Sequence, residues 1–273
     1  MDRASDRMDG PQTALITGAS SGLGVDFARQ MSPWCRCLIL VARRLDKLEG
    51  LKKELSSSHP TLLVYCQQLD LRIPEDVENL VRWIEAEKLE VTWLVNNAGL
   101  GDINDLASAE WTRVRSMLQV NMFALTQLTY RLLPAMINRG WGRIINVGSI
   151  AGYLALPGFA VYAASKAYVN SFSEALFWEL DGTGVTVTAV CPGPVHTEFI
   201  EVAAPQRHSK TSSTPKFVEI SSAEVVRQSL FASKLGRPRV VPGLFIWIGS
   251  ILLSLMPLRF MRILYRFKLI TAP

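Results

Sequence analysis

Tyr162 and Lys166 are the residues of this 273-residue chain whose types and spacing point most directly to chemistry. In Tyr162-Ala163-Ala164-Ser165-Lys166 they stand four apart, one helical turn, on a common face. A phenol and an ammonium so placed suit proton transfer. A free tyrosine has a pKa of about 10, so proton exchange near neutral pH requires lowering it by roughly 3 units, on the order of 4 kcal/mol. An ammonium about 4 Å away, at an effective dielectric near 20, supplies roughly that amount. Lys166 would then tune the phenol and Tyr162 would transfer the proton. The same spacing also describes a tyrosine packed beneath a snorkelling lysine, so the surrounding elements must decide.

Those elements can be read along the chain. Residues 13–17 predict a buried strand, followed by Gly18-Ala19-Ser20-Ser21-Gly22-Leu23-Gly24 and a helical run at 25–31. A strand, glycine turn and helix in that order place backbone N–H groups and a helix N-terminus where a pyrophosphate can sit. Gly18 permits the tight turn, Gly22 the close approach of backbone to cofactor, and Gly24 the packing of helix on strand; Ser20, Ser21 and Leu23 lie in the same turn. Residues 38–41 predict the second strand. An NAD site usually carries an acidic residue at its end, but here Ala42 is followed by Arg43 and Arg44. Loss of the carboxylate and gain of guanidinium favour a 2′-phosphate, hence NADP(H). An amphipathic helix at 44–57 carries Leu45, Leu48, Leu51 and Leu55 on one stripe. A third strand at 62–66 leads to Asp70 and Leu71, where a carboxylate could meet the adenine amino group, and Pro74 opens a helix to residue 87.

The fourth strand, 91–95, ends in Asn96-Asn97-Ala98-Gly99; Asn97, Ala98 and Gly99 are of the small or amide type that lines the crevice at strand carboxyl ends. A long helical region spans 111–139. Asn121 lies within it among Val120, Met122 and Phe123, and needs partners for its amide, such as a structural water or a backbone carbonyl. The fifth strand, 143–147, ends in Gly148-Ser149, and a Ser149 hydroxyl facing the crevice can donate to a carbonyl oxygen. Lys166 continues into a helix to residue 180. After a sixth strand at 185–190 comes Cys191-Pro192-Gly193-Pro194-Val195-His196-Thr197. There Pro192, Gly193, Val195 and Thr197 are cofactor-contact candidates, with Thr197 within reach of a phosphate or carboxamide. Residues 198–222, rich in Ser, Thr, Pro and Lys, resemble a mobile lid over the substrate. A helix from 222 to about 235 and a last strand at 239–241 follow.

Composition bounds the class. A hydrophobic fraction of 49% and a charged fraction of 19% exclude a disordered chain and allow one large α/β domain. The four cysteines, Cys35, Cys37, Cys66 and Cys191, show neither a disulfide framework nor metal-ligand spacing, which fits a reducing, cytoplasmic compartment and no metal. The net charge of +5 is unevenly placed: residues 225–273 carry eight Lys/Arg and no acid, leaving 21 basic against 24 acidic groups elsewhere. That distribution argues against nucleic acid as a partner and for a tail that meets a membrane surface. The organisation expected is a polar leader at 1–12, a catalytic domain at 13–241 and a tail at 242–273. Residues 240–258 lack charge, yet Pro242, Gly243, Gly249 and Pro257 interrupt them, and the helix left at 244–256 is short for a bilayer. Beyond it Arg259, Arg262 and Arg266 share one helical face, opposite Phe260, Ile263, Leu264 and Phe267. The tail reads as a peripheral or monotopic anchor, or as a segment that packs across a dimer or over the substrate pocket.

Thr17-Gly18-xxx-Gly22-x-Gly24, Asn96-Asn97-Ala98-Gly99, Asn121, Ser149, Tyr162-xxx-Lys166 and Pro192-Gly193 occur here in the order and spacing of a known family. Across residues 13–197 the chain resembles the short-chain dehydrogenase/reductases of the single-domain oxidoreductase type. The resemblance implies a doubly wound Rossmann-type sheet of about seven parallel strands with helices on both faces. It implies Asn121, Ser149, Tyr162 and Lys166 as a catalytic tetrad, and homodimers or homotetramers built on the helices near 111–139 and 162–180. One departure concerns the cofactor: some NADP-using members carry a basic residue just before the second glycine, where this chain has Ser21, so the NADP reading rests on Arg43 with Arg44 and Ser20. The activity implied is NADPH-dependent reduction of a ketone or aldehyde on an apolar substrate, a 3-oxoacyl or other lipid carbonyl or a steroid. In it Ser149 polarises the oxygen, Tyr162 donates the proton, Lys166 tunes Tyr162 and binds the nicotinamide ribose, and Asn121 maintains a proton path. The oxidative direction, as an alcohol or hydroxysteroid dehydrogenase, and a non-catalytic NADP-binding regulator are the alternatives.

Overall fold

The computed structural model describes residues 12–195, 199, 203 and 220–254. Its strands are β1 (Gln12–Thr17), β2 (Cys35–Ala42), β3 (Leu63–Gln68), β4 (Trp93–Asn96), β5 (Gly142–Val147), β6 (Val185–Val190) and β7 (Arg239–Val240). Its helices are α1 (Gly22–Met31), α2 (Leu45–Ser58), α3 (Pro74–Ala86), α4 (Trp111–Leu118), α5 (Leu125–Arg139), α6 (Ala160–Glu179), α7 (Ser222–Lys234) and α8 (Leu244–Ser254). The strands form one parallel sheet in the order β3-β2-β1-β4-β5-β6-β7. A parallel sheet is covered on both faces, so its inner strands are largely apolar; Leu38, Ile39, Leu40 and Val41 are fully buried accordingly.

One core unites Phe27 and Met31 of α1, Leu48, Leu51 and Leu55 of α2, and Val225 and Leu230 of α7 against the sheet. The other packs Val77 and Leu80 of α3, Leu128 and Leu132 of α5, and Leu176 of α6 on the opposite face. Leu45, placed on the buried stripe by its spacing, is instead exposed, because α2 begins at that residue and only its later turns lie over the sheet. Strand order reverses between β1 and β4, and a crevice opens there at the carboxyl ends of the strands.

The helical region expected at 111–139 is present, and it is not α-helical throughout. Between α4 and α5 lies a π-helical turn, Gln119–Ala124, with Asn121 at its middle. Such wide turns concentrate at functional sites. The third and fourth strands run later than expected, to Gln68 and Asn96, and α6 starts at Ala160, so Tyr162 stands in its first turn. Among the described residues no helix is long and apolar enough to cross a membrane. Gln12, expected to end the leader, opens β1; residues 1–11, most of the segment expected to be a lid, and the Arg259–Arg262–Arg266 face lie outside the described residues.

Candidate active site

The turn from β1 to α1 is built around close backbone contacts. Gly18 has φ +66°, a left-handed conformation that favours glycine. A Cβ on Gly24 would lie 2.2 Å from the Gly18 carbonyl oxygen, so that position admits no side chain. Ser21 caps α1 without a side-chain hydrogen bond, and the first turn holds no acidic residue. The orphan N–H groups of α1 are thus left to meet an anion. Thr17 and Asn97 brace the turn. The Thr17 hydroxyl accepts from the Asn97 and Ala98 N–H groups, both at 3.0 Å, and Asn97 Nδ2 donates to Thr17 O at 2.8 Å. Asn96 donates from Nδ2 to Asn146 Oδ1 across the β4–β5 register at 2.9 Å. The Asn-Asn pair therefore ties three strand ends together.

Asn121 is buried in its π turn and clasps the backbone of Leu100. Its Oδ1 accepts from Leu100 N at 2.8 Å, and its Nδ2 donates to Leu100 O at 2.9 Å and to Ser165 Oγ at 3.0 Å. A backbone carbonyl is thus one partner of the amide. Tyr162, Lys166 and Ser149 converge on the same crevice, all at most 8% exposed. Lys166 Nζ donates to Val147 O at 2.8 Å and stands 5.8 Å from the centroid of the Tyr162 ring.

The electrostatics correct one expectation. Burial pushes the Tyr162 phenol up to about 12, and a hydrogen bond with Ser149 pulls it only partly back. Burial also pushes Lys166 down to about 8. The helical spacing predicts a tyrosine lowered by its lysine. Instead both groups are desolvated, the ammonium is held by the Val147 carbonyl, and neither group is among the causes of the other's shift.

Ser149 sits on a turn between β5 and a short 3-10 helix, Ile150–Tyr153, and its hydroxyl accepts from Ala151 N at 3.1 Å. The turn is gripped by Asn170, one helical turn beyond Lys166. Asn170 Nδ2 donates to Ser149 O at 3.0 Å, and its Oδ1 accepts from the Cys191 thiol at 3.3 Å. Side chains on Gly148 or Gly152 would collide with this amide, their Cβ atoms falling 2.0 Å and 2.6 Å from it. Sequence reading passed over Asn170; its signal was an amide on the Tyr162–Lys166 face at the next i+4 position.

At the far end of the crevice the predicted cations are present but divide their tasks. Arg44 is engaged by the glycine turn, its Nη2 donating to Ser20 O at 3.2 Å and to Ser20 Oγ at 3.3 Å. Arg43 is exposed and borders the crevice. Asp70 and Leu71 line it too, yet the Asp70 carboxylate is gripped by Arg72, whose Nε lies 2.9 Å from both oxygens. The Arg72 guanidinium holds Asp70 below the usual carboxylate range. Arg72 was missed in the sequence, where a single arginine after a strand carries no pattern. Pro192, Gly193 and Val195 line the crevice as expected; Thr197 lies outside the described residues.

The other end of this cavity of about 450 Å³ is walled by Leu100, Ile103, Leu154, Leu156, Phe159 and Phe199. The Phe199 and Phe159 rings stand 5.4 Å and 4.6 Å from that of Tyr162. Among the described residues Lys166 is the only cation at this end.

Comparison with known proteins agrees with this geometry. The family model for short chain dehydrogenases matches residues 12–208. A sulfoacetaldehyde reductase of Chromohalobacter salexigens is 36% identical over 222 residues, 80% of this chain and 85% of that protein. A short-chain dehydrogenase from Sphingobium yanoikuyae, solved in complex with NADPH, superposes with a TM-score of 0.78 at 28% identity, covering 90% of this chain and 96% of that one. A bulky-bulky ketone specific alcohol dehydrogenase from Comamonas testosteroni gives a TM-score of 0.74 at 26% identity, covering 91% and 96%. With a parallel sheet whose order reverses at a glycine turn, and with Ser149, Tyr162 and Lys166 gathered beside that turn, the chain belongs to the short-chain dehydrogenase family.

Proposed function

We propose that the protein reduces the carbonyl of an apolar ketone or aldehyde with NADPH. The residues fit the cofactor: the uncapped start of α1 offers N–H groups to a pyrophosphate, and Arg43 stands at the end of β2 where a 2′-phosphate would be met. The NADPH complex of the Sphingobium relative supports the same choice. When bound, the cofactor supplies the hydride. Ser149 donates to the substrate oxygen and polarises it. Tyr162 gives its proton to the oxygen as charge develops there. Lys166 provides a positive charge beneath both, and Asn121 holds the Leu100 segment that borders the site. A phenol pushed up to about 12 is protonated at neutral pH, as a proton donor must be.

The apolar wall around Tyr162 carries the substrate reading. Sulfoacetaldehyde, named for the Chromohalobacter relative, is an anion and calls for a cation besides Lys166 to pair with its sulfonate. The described wall offers leucine, isoleucine and phenylalanine instead, which suits a long-chain 3-oxoacyl, other lipid or steroid ketone. NADPH oxidation measured across uncharged ketones of graded length, with sulfoacetaldehyde alongside, tests this. Rising kcat/KM with apolar size supports the reading, and a preference for the sulfonate refutes it.

The exposed Phe123, Tyr130 and Trp178 on α5, α6 and the turn before them support a homo-oligomer built on those helices. The division into a leader, a catalytic domain at 13–241 and a tail is retained as part of this proposal, with the tail making a peripheral contact with membrane from the cytoplasm.

A further inference from the structure

The α8 helix has no charged residue, and its apolar side chains point in several directions. Leu244, Trp247, Ile248 and Leu252 are 67%, 48%, 41% and 62% exposed. Ile246 alone among its described side chains is buried, and it fixes where the helix sits: a Cβ on Gly193 would lie 2.9 Å from Ile246 Cδ1. Gly193 lines the crevice, and α8 also touches the Ile150–Tyr153 turn, whose first two residues line it. The helix is therefore seated on the rim of the candidate active site, with most of its apolar surface turned outward.

A helix apolar on all sides belongs in a core or in lipid. Eleven residues rise roughly 16 Å, about half of a hydrocarbon core of about 30 Å, so α8 can lie in a membrane but cannot span one. The charge pattern names the surface. Residues 225–273 contain no acid, and Arg259, Arg262, Arg266 and Lys268 follow α8 in the sequence. Apolar side chains followed by a run of basic residues suit the boundary of an anionic bilayer.

We propose that α8 docks the protein on an anionic lipid surface with the mouth of the crevice facing the lipid, so that an apolar ketone passes from the bilayer to Tyr162 without crossing water. This deepens, and rests on, the apolar-carbonyl reading. It accounts for the position of Ile246: an anchor placed elsewhere on the fold would hold the protein at a membrane without presenting the site to it.

The test uses the full chain, NADPH, and vesicles of phosphatidylcholine alone or mixed with phosphatidylserine. A long-chain ketone is dissolved in the vesicles, and a short ketone is supplied in water. The double variant Trp247→Glu, Leu252→Glu replaces two exposed side chains outside the crevice, and its folding is read from circular dichroism and from turnover of the soluble ketone. The wild type is expected to bind the anionic vesicles. The variant should lose at least about tenfold in both vesicle affinity and turnover of vesicle-borne ketone, with soluble turnover within about twofold. Vesicle binding with unchanged turnover of vesicle-borne ketone in the variant would overturn the proposal. So would absence of vesicle binding, or a shift from dimer to monomer in the variant that assigns α8 to a second copy. The soluble ketone reports on the reductase reading separately, so failure of that reading is told apart from failure of this one.

Discussion

Lys166 should destabilise the fold it serves. It is buried at 4% exposure, and its ammonium is pushed down to about 8 from an ordinary 10.5. A difference of about 2.5 units is worth about 3 kcal/mol, the cost of keeping the charge in the crevice near pH 7. The bond to Val147 O returns on the order of 1–2 kcal/mol to the lysine, and methionine would lose it. Lys166→Met is therefore expected to be more stable than wild type at pH 7 by about 1–2 kcal/mol while losing activity. The pH dependence distinguishes this from a packing effect. Between about pH 8 and pH 10.5 the folded lysine has released its proton while the unfolded one retains it. The unfolded state then binds more protons, and stability rises with pH. Wild type should gain about 2 kcal/mol from this group between pH 7 and pH 9.5, and Lys166→Met should not. Urea denaturation at the two pH values measures both quantities. A variant less stable than wild type at pH 7, with the same pH slope, would refute the reasoning.

Two further predictions follow from the crevice. Arg43→Ala should weaken NADPH by roughly tenfold to a hundredfold and leave NADH nearly unchanged, because an exposed guanidinium facing a 2′-phosphate gives about 1.5–3 kcal/mol; KM for the two cofactors decides it. Asn170→Leu should lower kcat by about tenfold or more with little change in NADPH affinity, since the lost bond is to Ser149 O. Its kinetic pKa should also rise, because Ser149 is the group that pulls Tyr162 down. A fall in melting temperature alone, with kcat and the pH profile unmoved, would make Asn170 merely structural.

The sheet was legible because its strands are short apolar runs bounded by glycine and polar turns, and the glycine spacing states a contact that the structure realises at Gly18 and Gly24. Tyr162 and Lys166 were found by helical periodicity. What periodicity could not show was their environment. The sign of the Tyr162 shift depends on desolvation and on the aim of the lysine, both set by residues distant in sequence such as Val147. The π turn at Asn121 was hidden because an extra residue in one turn leaves the apolar pattern on either side intact. Arg72 and the Ile103–Phe199 side of the pocket were missed because single residues in loops carry no period, and tertiary approach alone gives them a role.

Tyr162 is the proton donor on which the proposed reduction depends. The measurement is NADPH oxidation by Tyr162→Phe with an apolar ketone, beside NADPH affinity by fluorescence titration. Removal of the donor should cost at least about 10²–10⁴ in kcat, with NADPH affinity within about twofold of wild type. Turnover at the wild-type rate in that variant would contradict the account.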